Sequence, residues 1–281
     1  LLFVGFGVLA GLFPLHTWVP TGHVAAPTAA SMMLAGVMMK LGAYGCLRVA
    51  LWLLPGGADA WLLPLAILAL IGAVYGALVT LVQRDIKFLI GYSSISHMGL
   101  TLMGLAAGTQ IGLTGAVLQM FAHGVMSALL FAVVGRMIYD RTHTRQLNEL
   151  GGLAPALPAA AVLFVIGSLA SMGMPGTASF WAEMNIFLGM WQRFPVIAVL
   201  GAISVPITAA YLLRAAYRVF FSEKQAPAEA LPRLTWPEYT AGAILAVVLL
   251  VCGIFPALLT EPIGASVAPI AQLLSTAIAG R

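Results

Sequence analysis

Four ionisable side chains stand inside long apolar segments of the chain: Lys40, His97, His123 and Glu183. Amines, imidazoles and carboxylates can each take up and release a proton, and imidazole does so near neutral pH. Where bulk water is scarce, such groups can pass protons to one another or to bound water. Their residue types and positions therefore predict a proton relay.

Lys40 and Glu183 are the costliest of the four to keep in an apolar segment. Lys40 lies about 20 Å from either end of its segment at the helical rise, and a lysine at the centre of a membrane span costs ~2.5–3.5 kcal/mol even on a lenient scale. Glu183 follows Gly176, where a Pro-Gly pair breaks the helix, and broken helices are tolerated around wet or protein-enclosed cavities. The alternatives are a structural partner for Lys40 and a complement to a helix dipole for Glu183.

Each histidine belongs to a stripe of polar residues on its segment. Residues four apart share one face of a helix, so each stripe can line a water-filled path. The alternative is hydrogen bonding between helices as packing, with neutral histidines. The neighbours at this spacing are Ser93 and Thr101 for His97, and Gln119 and Ser127 for His123.

The amino-acid composition shows whether these residues lie in a water-soluble domain or in a membrane. Of 281 residues, 61% are hydrophobic and 8% are charged, whereas a soluble domain has about 25% charged residues. The chain is therefore predicted to be an all-α polytopic membrane protein. Its 13 Lys and Arg residues are too scattered for a nucleic-acid surface. The two cysteines, Cys46 and Cys252, lack a metal-binding spacing, and no cofactor is expected.

Eight apolar segments are long enough to cross a ~30 Å hydrocarbon core, which takes ~20 helical residues. They are continuous rather than alternating, which predicts helices and not the strands of a β-barrel. Because the first begins at Leu1 without the basic start of a signal peptide, we expect the chain to begin inside a longer protein. The segments are 1–16, 27–53, 61–82, 87–107, 111–138, 154–192, 196–220 and 240–262.

Two of these segments are irregular and predict broken helices. Pro14, Pro20 and Pro27 interrupt the chain at the end of the first segment. The segment 154–192 would be ~58 Å long as one continuous helix, nearly twice the thickness of the membrane. Met174-Pro-Gly-Thr177 lies in its middle, so it forms either one broken span or two spans.

The basic residues favour one broken span. With a single crossing at 154–192, nine Lys and Arg residues lie on one side of the membrane and three on the other, whereas two crossings give seven and five. The positive-inside rule favours the steeper asymmetry. Charged residues at span ends, Lys87 among them, are expected to reach water. The nine are Arg84, Lys87, Arg136, Arg141, Arg145, Arg214, Arg218, Lys224 and Arg233, and the three are Arg48, Arg193 and Arg281.

Several stretches around these residues resemble the antiporter-like M subunits of respiratory complex I, the proton-pumping NADH-quinone oxidoreductase. The resemblance covers roughly residues 1–223, and the run from Tyr139 resembles subunit M more than its sister subunits. The most specific stretches are Pro14-Leu-His-Thr-Trp-Val-Pro20 with His23, Leu34-Ala-Gly-Val-Met-Met-Lys40, Tyr92-Ser-Ser-Ile-Ser-His97, Gln119-Met-Phe-Ala-His123, Tyr139-Asp-Arg-Thr-His-Thr-Arg145 and Met174-Pro-Gly176 leading to Glu183.

The resemblance implies a fold, a location and roles. The chain would match the seventh to fourteenth helices of the family, with the seventh and twelfth broken. Lys40 matches the central lysine, His97 and His123 the connecting histidines, and Glu183 the terminal carboxylate. Residues 1–223 would form the proton-translocating domain, and 224–281 the C-terminal loop and last transmembrane helix. The implied setting is a bacterial inner (plasma) membrane, with other complex I membrane subunits, lipid and protons as partners, no nucleic acid, and the redox chemistry in other subunits.

The chain departs from the family pattern near the first break. The family places a lysine on the seventh helix, where this chain has Leu9, Ala10 and Gly11, and it places acidic residues where this chain has Thr21 and Ala25. The proton-loading half of the family's path is therefore altered in this stretch. Two alternatives remain open: an Mrp-type cation/proton antiporter subunit, and a non-pumping structural subunit of the same complex.

Overall fold

The computed structural model describes residues 1–223 and 231–279, and helices make up most of this part of the chain. Lys224 and Arg281, which entered the topology prediction, lie outside the described residues. The predicted all-α architecture is confirmed. The first helices are α1 (Leu2–Ala10), α2 (Trp18–Ala25), α3 (Thr28–Leu51), α4 (Pro55–Val82), α5 (Ile86–Ala107) and α6 (Gln110–Thr142).

Several helices, most of them in the second half of the chain, begin at a proline in their first turn. Prolines stand in the first turn of α4, α7, α9 and α10, where the missing N–H group is not needed. By length and apolar composition alone, seven of the described helices could cross a membrane, α11 among them. The remaining helices are α7 (Pro158–Ser171), α8 (Ala178–Arg193), α9 (Pro195–Phe221), α10 (Trp236–Ile254) and α11 (Ala257–Ala279).

The first predicted break is present, and α1 and α2 make one crossing in two halves. Gly42 and Gly45 of α3 lie against Ala10 and Phe6 of α1. α2 continues to the opposite side, where Pro20 lies against the first turns of α5.

The second predicted break is also present, between α7 and α8. Gly167 of α7 lies against Leu130, in the second half of α6. Gly189 of α8 lies against Thr109, just before α6 begins. Because the two halves run along α6 from one end to the other, 154–192 is one broken span, as the charge asymmetry predicts.

The C-terminal part contains a helix that the sequence analysis does not separate. The predicted span 240–262 ends early, at Ile254, because Pro256 disfavours helical geometry at the residue before it. A further helix, α11, follows. Gly264 of α11 accepts a hydrogen bond from Gln110, and Leu274 lies near Gly108. α11 therefore covers the ends of α5 and α6 on one side of the bundle.

Candidate functional site

The side chain of Lys40 lies inside the bundle, held by two acceptors. It is only 7% exposed, and its Nζ donates to the backbone carbonyl of Ala35. The same nitrogen lies 2.8 Å from Nδ1 of His123 on α6. A π-helical turn spans Leu34–Met38 just before the lysine. Such turns re-register a helix and are frequent at functional sites.

A close approach of two helices lets Lys40 reach His123. The backbone of Gly124 on α6 lies so near α3 that a Cβ atom there would be 2.7 Å from the Gly36 carbonyl oxygen and 3.6 Å from Cε of Lys40. Any side chain at position 124 would separate the two helices. The glycine thus brings the lysine and the imidazole within hydrogen-bond distance.

The two histidines are neighbours at the centre of the bundle. His97 on α5 and His123 on α6 are both buried, and their ring centroids lie 5.2 Å apart. Nε2 of His97 lies 2.8 Å from the hydroxyl oxygen of Ser171, the last residue of α7. On the other edge of the ring, Nδ1 of His97 lies 3.4 Å from Nε2 of Gln119.

Glu183, in the second turn of α8, is the last of the four residues. It is 6% exposed, and its Oε1 lies 3.6 Å from Nδ1 of His97. This separation is just beyond hydrogen-bond distance, so a small side-chain movement brings the two groups into contact. Its other oxygen lies directly over Gly173 in the helix break, where a Cβ atom would be 2.5 Å from Oε2.

The structure therefore brings the four predicted site residues together as a series of neighbours, in the order Lys40, His123, His97, Glu183. These four side chains are called the polar axis below. Each comes from a different helix, α3, α6, α5 and α8, and each is buried. The sequence predicts their depth but not this order. Their role in moving protons stays a prediction.

Sequence reasoning misses Tyr211, a buried phenol on α9 that lies outside the polar axis. It is among the largest fully buried side chains, and its hydroxyl oxygen lies 2.7 Å from that of Ser93. A signal was available: Ser204, Thr208 and Tyr211 recur at helical spacing and form one polar stripe on α9.

The prediction that the charged residues at span ends reach water is wrong for Lys87. It is buried, and its Nζ donates to the Ala26 carbonyl over 2.6 Å. Arg145 donates to the carbonyl of Val24 at 3.3 Å and pairs with Asp85 at 3.3 Å. These cations satisfy carbonyls at the C-terminal end of α2, where positive charge is favourable.

Two further histidines flank the first break. His23 is buried and stacks on Phe131 with ring centroids 4.6 Å apart. Neither of its ring nitrogens has a hydrogen-bond partner among the described residues. His16 is buried too and stacks on Phe13. Thr21, at a place where the family has an acidic residue, hydrogen-bonds within α2, so no charge replaces the missing one there.

A known protein family matches most of the chain. Residues 1–208 match the family described as NADH:quinone oxidoreductase/Mrp antiporter, TM. The chain belongs to this family. The resemblance predicted from the motifs is thereby confirmed.

Individual members of the family give the finer similarity. NADH-quinone oxidoreductase subunit M of Rhodobacter capsulatus is 41% identical over 271 residues, which make up 96% of this chain and 53% of that protein. The chain spans about half the length of the curated relatives it matches. Those relatives are subunits of a multi-subunit complex.

Solved structures confirm the antiporter-like fold of the family. A chain in the structure of respiratory complex I from Thermus thermophilus with bound NADH is 32% identical, with a TM-score of 0.91 over 97% of this chain and 58% of that one. A chain of the Mrp complex from Dietzia sp. DQ12-45-1b is 20% identical, with a TM-score of 0.87 over 97% of this chain and 60% of that one. At that identity, the second similarity shows the fold alone.

Proposed function

We propose that this chain is part of a membrane subunit of a proton-pumping NADH-quinone oxidoreductase, and that the polar axis carries protons through it. Family membership and the 41% identity to a subunit M support the proposal. In a bacterial cell such a subunit lies in the inner (plasma) membrane. Its partners are the other membrane subunits of the complex and the surrounding lipid. Residues 1–223 form the translocating part, and the later helices complete it.

The observation that carries the proposal is the 2.8 Å contact between Lys40 Nζ and His123 Nδ1. An ammonium group on Lys40 can pass its proton directly to this imidazole nitrogen. The proton then reaches His97 through bound water, and from His97 it reaches the carboxylate of Glu183. Each transfer exchanges one proton between neighbouring groups and moves no electrons.

Electrostatic coupling links the proton occupancies of these neighbouring groups. Two positive charges on Lys40 and His123 would repel each other strongly in a medium of low dielectric constant. Groups this close titrate as one coupled system, so a change of charge at one end alters proton occupancy along the line. Quinone reduction in a partner subunit supplies the driving charge change in this proposal.

One specific observation favours a second candidate, a structural subunit that does not pump. Leu9 stands where the family has a lysine, and it lies on α1 just before the first break. The Mrp-type alternative has less support, because the identity is 20% to the Mrp chain against 32% to the complex I chain.

The decisive experiment replaces Lys40 in the full-length subunit within its native complex. We expect Lys40→Ala to lower the number of protons pumped per electron in reconstituted vesicles, because the line loses its first proton carrier. Tyr44→Phe is the control, since Tyr44 lies one turn further along α3 and is exposed. A wild-type proton-to-electron ratio in the Lys40→Ala complex would contradict the relay and favour the structural subunit.

A further inference from the structure

The buried polar stripe on α9 is not part of the polar axis. Ser204, Thr208 and Tyr211 are all buried, whereas Ile203 and Leu213 on the same helix are exposed apolar residues. A phenol group taken out of water needs a hydrogen-bond partner. One acceptor would satisfy that need, but the hydroxyl of Tyr211 has several partners.

Three hydroxyl groups surround the phenol of Tyr211. Its oxygen lies 2.7 Å from that of Ser93 and 3.4 Å from that of Thr208, and the hydroxyl of Ser171 lies beside it without a direct hydrogen bond. Ser171 in turn lies 2.8 Å from Nε2 of His97. Because each hydroxyl can donate and accept at once, a side-chain rotation that brings Ser171 and Tyr211 into contact would complete a hydrogen-bonded path from the polar axis to α9.

Two buried hydroxyls beside this path suit bound water. Ser168, one turn before Ser171 on α7, and Ser179, one turn before Glu183 on α8, have no hydrogen-bond partner among the described protein residues. Leaving such groups unsatisfied costs about 1–3 kcal/mol each. Buried water commonly satisfies groups of this kind.

The direction of the stripe follows from the course of α9. The helix begins at Pro195, two residues after Arg193, on the side of the bundle that has few basic residues. Ser204 lies ~14 Å along the helix from that start, and Tyr211 ~24 Å, at the helical rise. The stripe therefore runs from the centre of the membrane toward the side opposite the basic loops.

We propose that Ser171, Tyr211 and Thr208 form a hydroxyl branch that carries protons between His97 and the side where α9 begins. The branch rests on the proposed relay through the polar axis. In one passage, Nε2–H of His97 gives its proton to Ser171, the proton of Ser171 moves to Tyr211 once a side-chain rotation brings the two hydroxyls into contact, and that of Tyr211 moves to Thr208. Thr208, which donates to the Ser204 carbonyl at 2.9 Å, turns and releases its proton to water. Each hydroxyl ends with one proton, and no electrons move.

The test removes the phenol hydroxyl and keeps its ring. The Tyr211→Phe substitution is made in the full-length subunit within its complex. The flux through this subunit is defined as the proton flux of wild-type vesicles minus the proton flux of Lys40→Ala vesicles. We expect Tyr211→Phe to lower that flux about tenfold or more, which corresponds to ~1.4 kcal/mol on one step. Tyr217→Phe, on the same helix and 59% exposed, is the control.

A second pair of variants separates proton transfer from packing. Thr208→Val keeps the shape of the side chain and removes the hydroxyl, whereas Thr208→Ser keeps the hydroxyl and removes a methyl group. The branch requires that Thr208→Val lowers the flux and Thr208→Ser preserves it, and equal losses in both would overturn it. Full flux in Tyr211→Phe and Thr208→Val, with flux lost in Lys40→Ala, would overturn the branch and leave the relay standing. Unchanged pumping in Lys40→Ala would overturn both.

Discussion

Lys40 and Glu183 are held in the membrane interior by partners that do not fix their charge. The partners of the Lys40 amine are a backbone carbonyl and an imidazole. Glu183 lies over a glycine and 3.6 Å from the imidazole of His97. A permanent salt bridge would make any change of charge expensive, because breaking a buried pair leaves one charge uncompensated. Neutral or titratable partners allow the proton occupancy to change.

Arg141 and Glu238 show the opposite arrangement, a permanent buried ion pair. Their side chains are 7% and 6% exposed, and an oxygen of Glu238 lies 2.7 Å from Nη2 of Arg141. Glu238 also forms a capping box with Thr235 at the start of α10. The pair ties α10 to the end of α6, so we assign it to stability rather than to proton transfer.

Loss of this ion pair is predicted to destabilise the subunit. Glu238→Gln leaves the Arg141 guanidinium buried without its counter-charge, which costs about 3–5 kcal/mol. We expect a lower midpoint of thermal unfolding for the purified complex and an unchanged proton-to-electron ratio in the complexes that remain folded. Glu261→Gln, at an exposed position on α11, is the matched control. Equal midpoints for the two variants would show that the pair does not stabilise the fold.

The sequence predicts individual residues well where their chemistry conflicts with the local solvent. Lys40 and Glu183 are predicted because a charge in an apolar segment is costly. Tyr211 is missed because a single phenol is common in membrane helices, and its importance depends on hydroxyls from two other helices. The burial of Lys87 is missed for a similar reason, since its acceptor is the end of α2, distant in the sequence.

At the scale of elements, the two broken helices lie at the two ends of the polar axis. The half-helix α1 packs against α3, which carries Lys40, and the half-helix α8 carries Glu183. Lys87 and Arg145 stabilise the carbonyl end of α2, which is the end away from the first break. The second break, between α7 and α8, contains Gly173 and Gly176, whose φ angles are +65° and +93°. Non-glycine residues rarely adopt this left-handed conformation. The second break thus brings Ser171 and Glu183 to the same imidazole, His97.

Gly173 is predicted to position the Glu183 carboxylate, and Gly176 offers a matched control. Alanine at either site costs about 1–2 kcal/mol, because both require a left-handed backbone. Only at Gly173 would the new methyl group meet the carboxylate, whereas a Cβ atom on Gly176 would have no atom within 4 Å. We expect both variants to lower the thermal midpoint and only Gly173→Ala to lower proton flux in vesicles. Equal flux in the two variants would mean that Gly173 contributes backbone conformation alone.

The sequence predicts element boundaries only where a residue imposes them. Proline and glycine mark both breaks, and the charge asymmetry resolves 154–192 into one span. The π-helical turn at Leu34–Met38 contains no proline, and it lies where Gly36 contacts α6, so tertiary packing is needed to explain it. The helix α11 contains Pro262 and Pro269 and Glu261, which weaken the apolar pattern from which a helix is predicted.

For the molecule as a whole, eight crossings place the polar axis between two unlike surfaces. Among the described residues, eight of the topology-marking Lys and Arg residues lie on one side and two, Arg48 and Arg193, on the other. α11 lies on the side with few basic residues. By the positive-inside rule the strongly basic side faces the cytoplasm. The hydroxyl branch then leads away from the cytoplasm.

Cysteine labelling tests this orientation together with the helix count. In a full-length subunit from which Cys46, Cys252 and any cysteine outside this sequence have been removed, Arg84→Cys marks the basic side, and Leu53→Cys marks the opposite side at a position that is 66% exposed. We expect a membrane-impermeant maleimide to label Leu53→Cys in spheroplasts and Arg84→Cys only in inverted vesicles, because α4 crosses the membrane between them. Labelling of both from one side would contradict that crossing. Reversed labelling would contradict the positive-inside orientation and would direct the hydroxyl branch toward the cytoplasm.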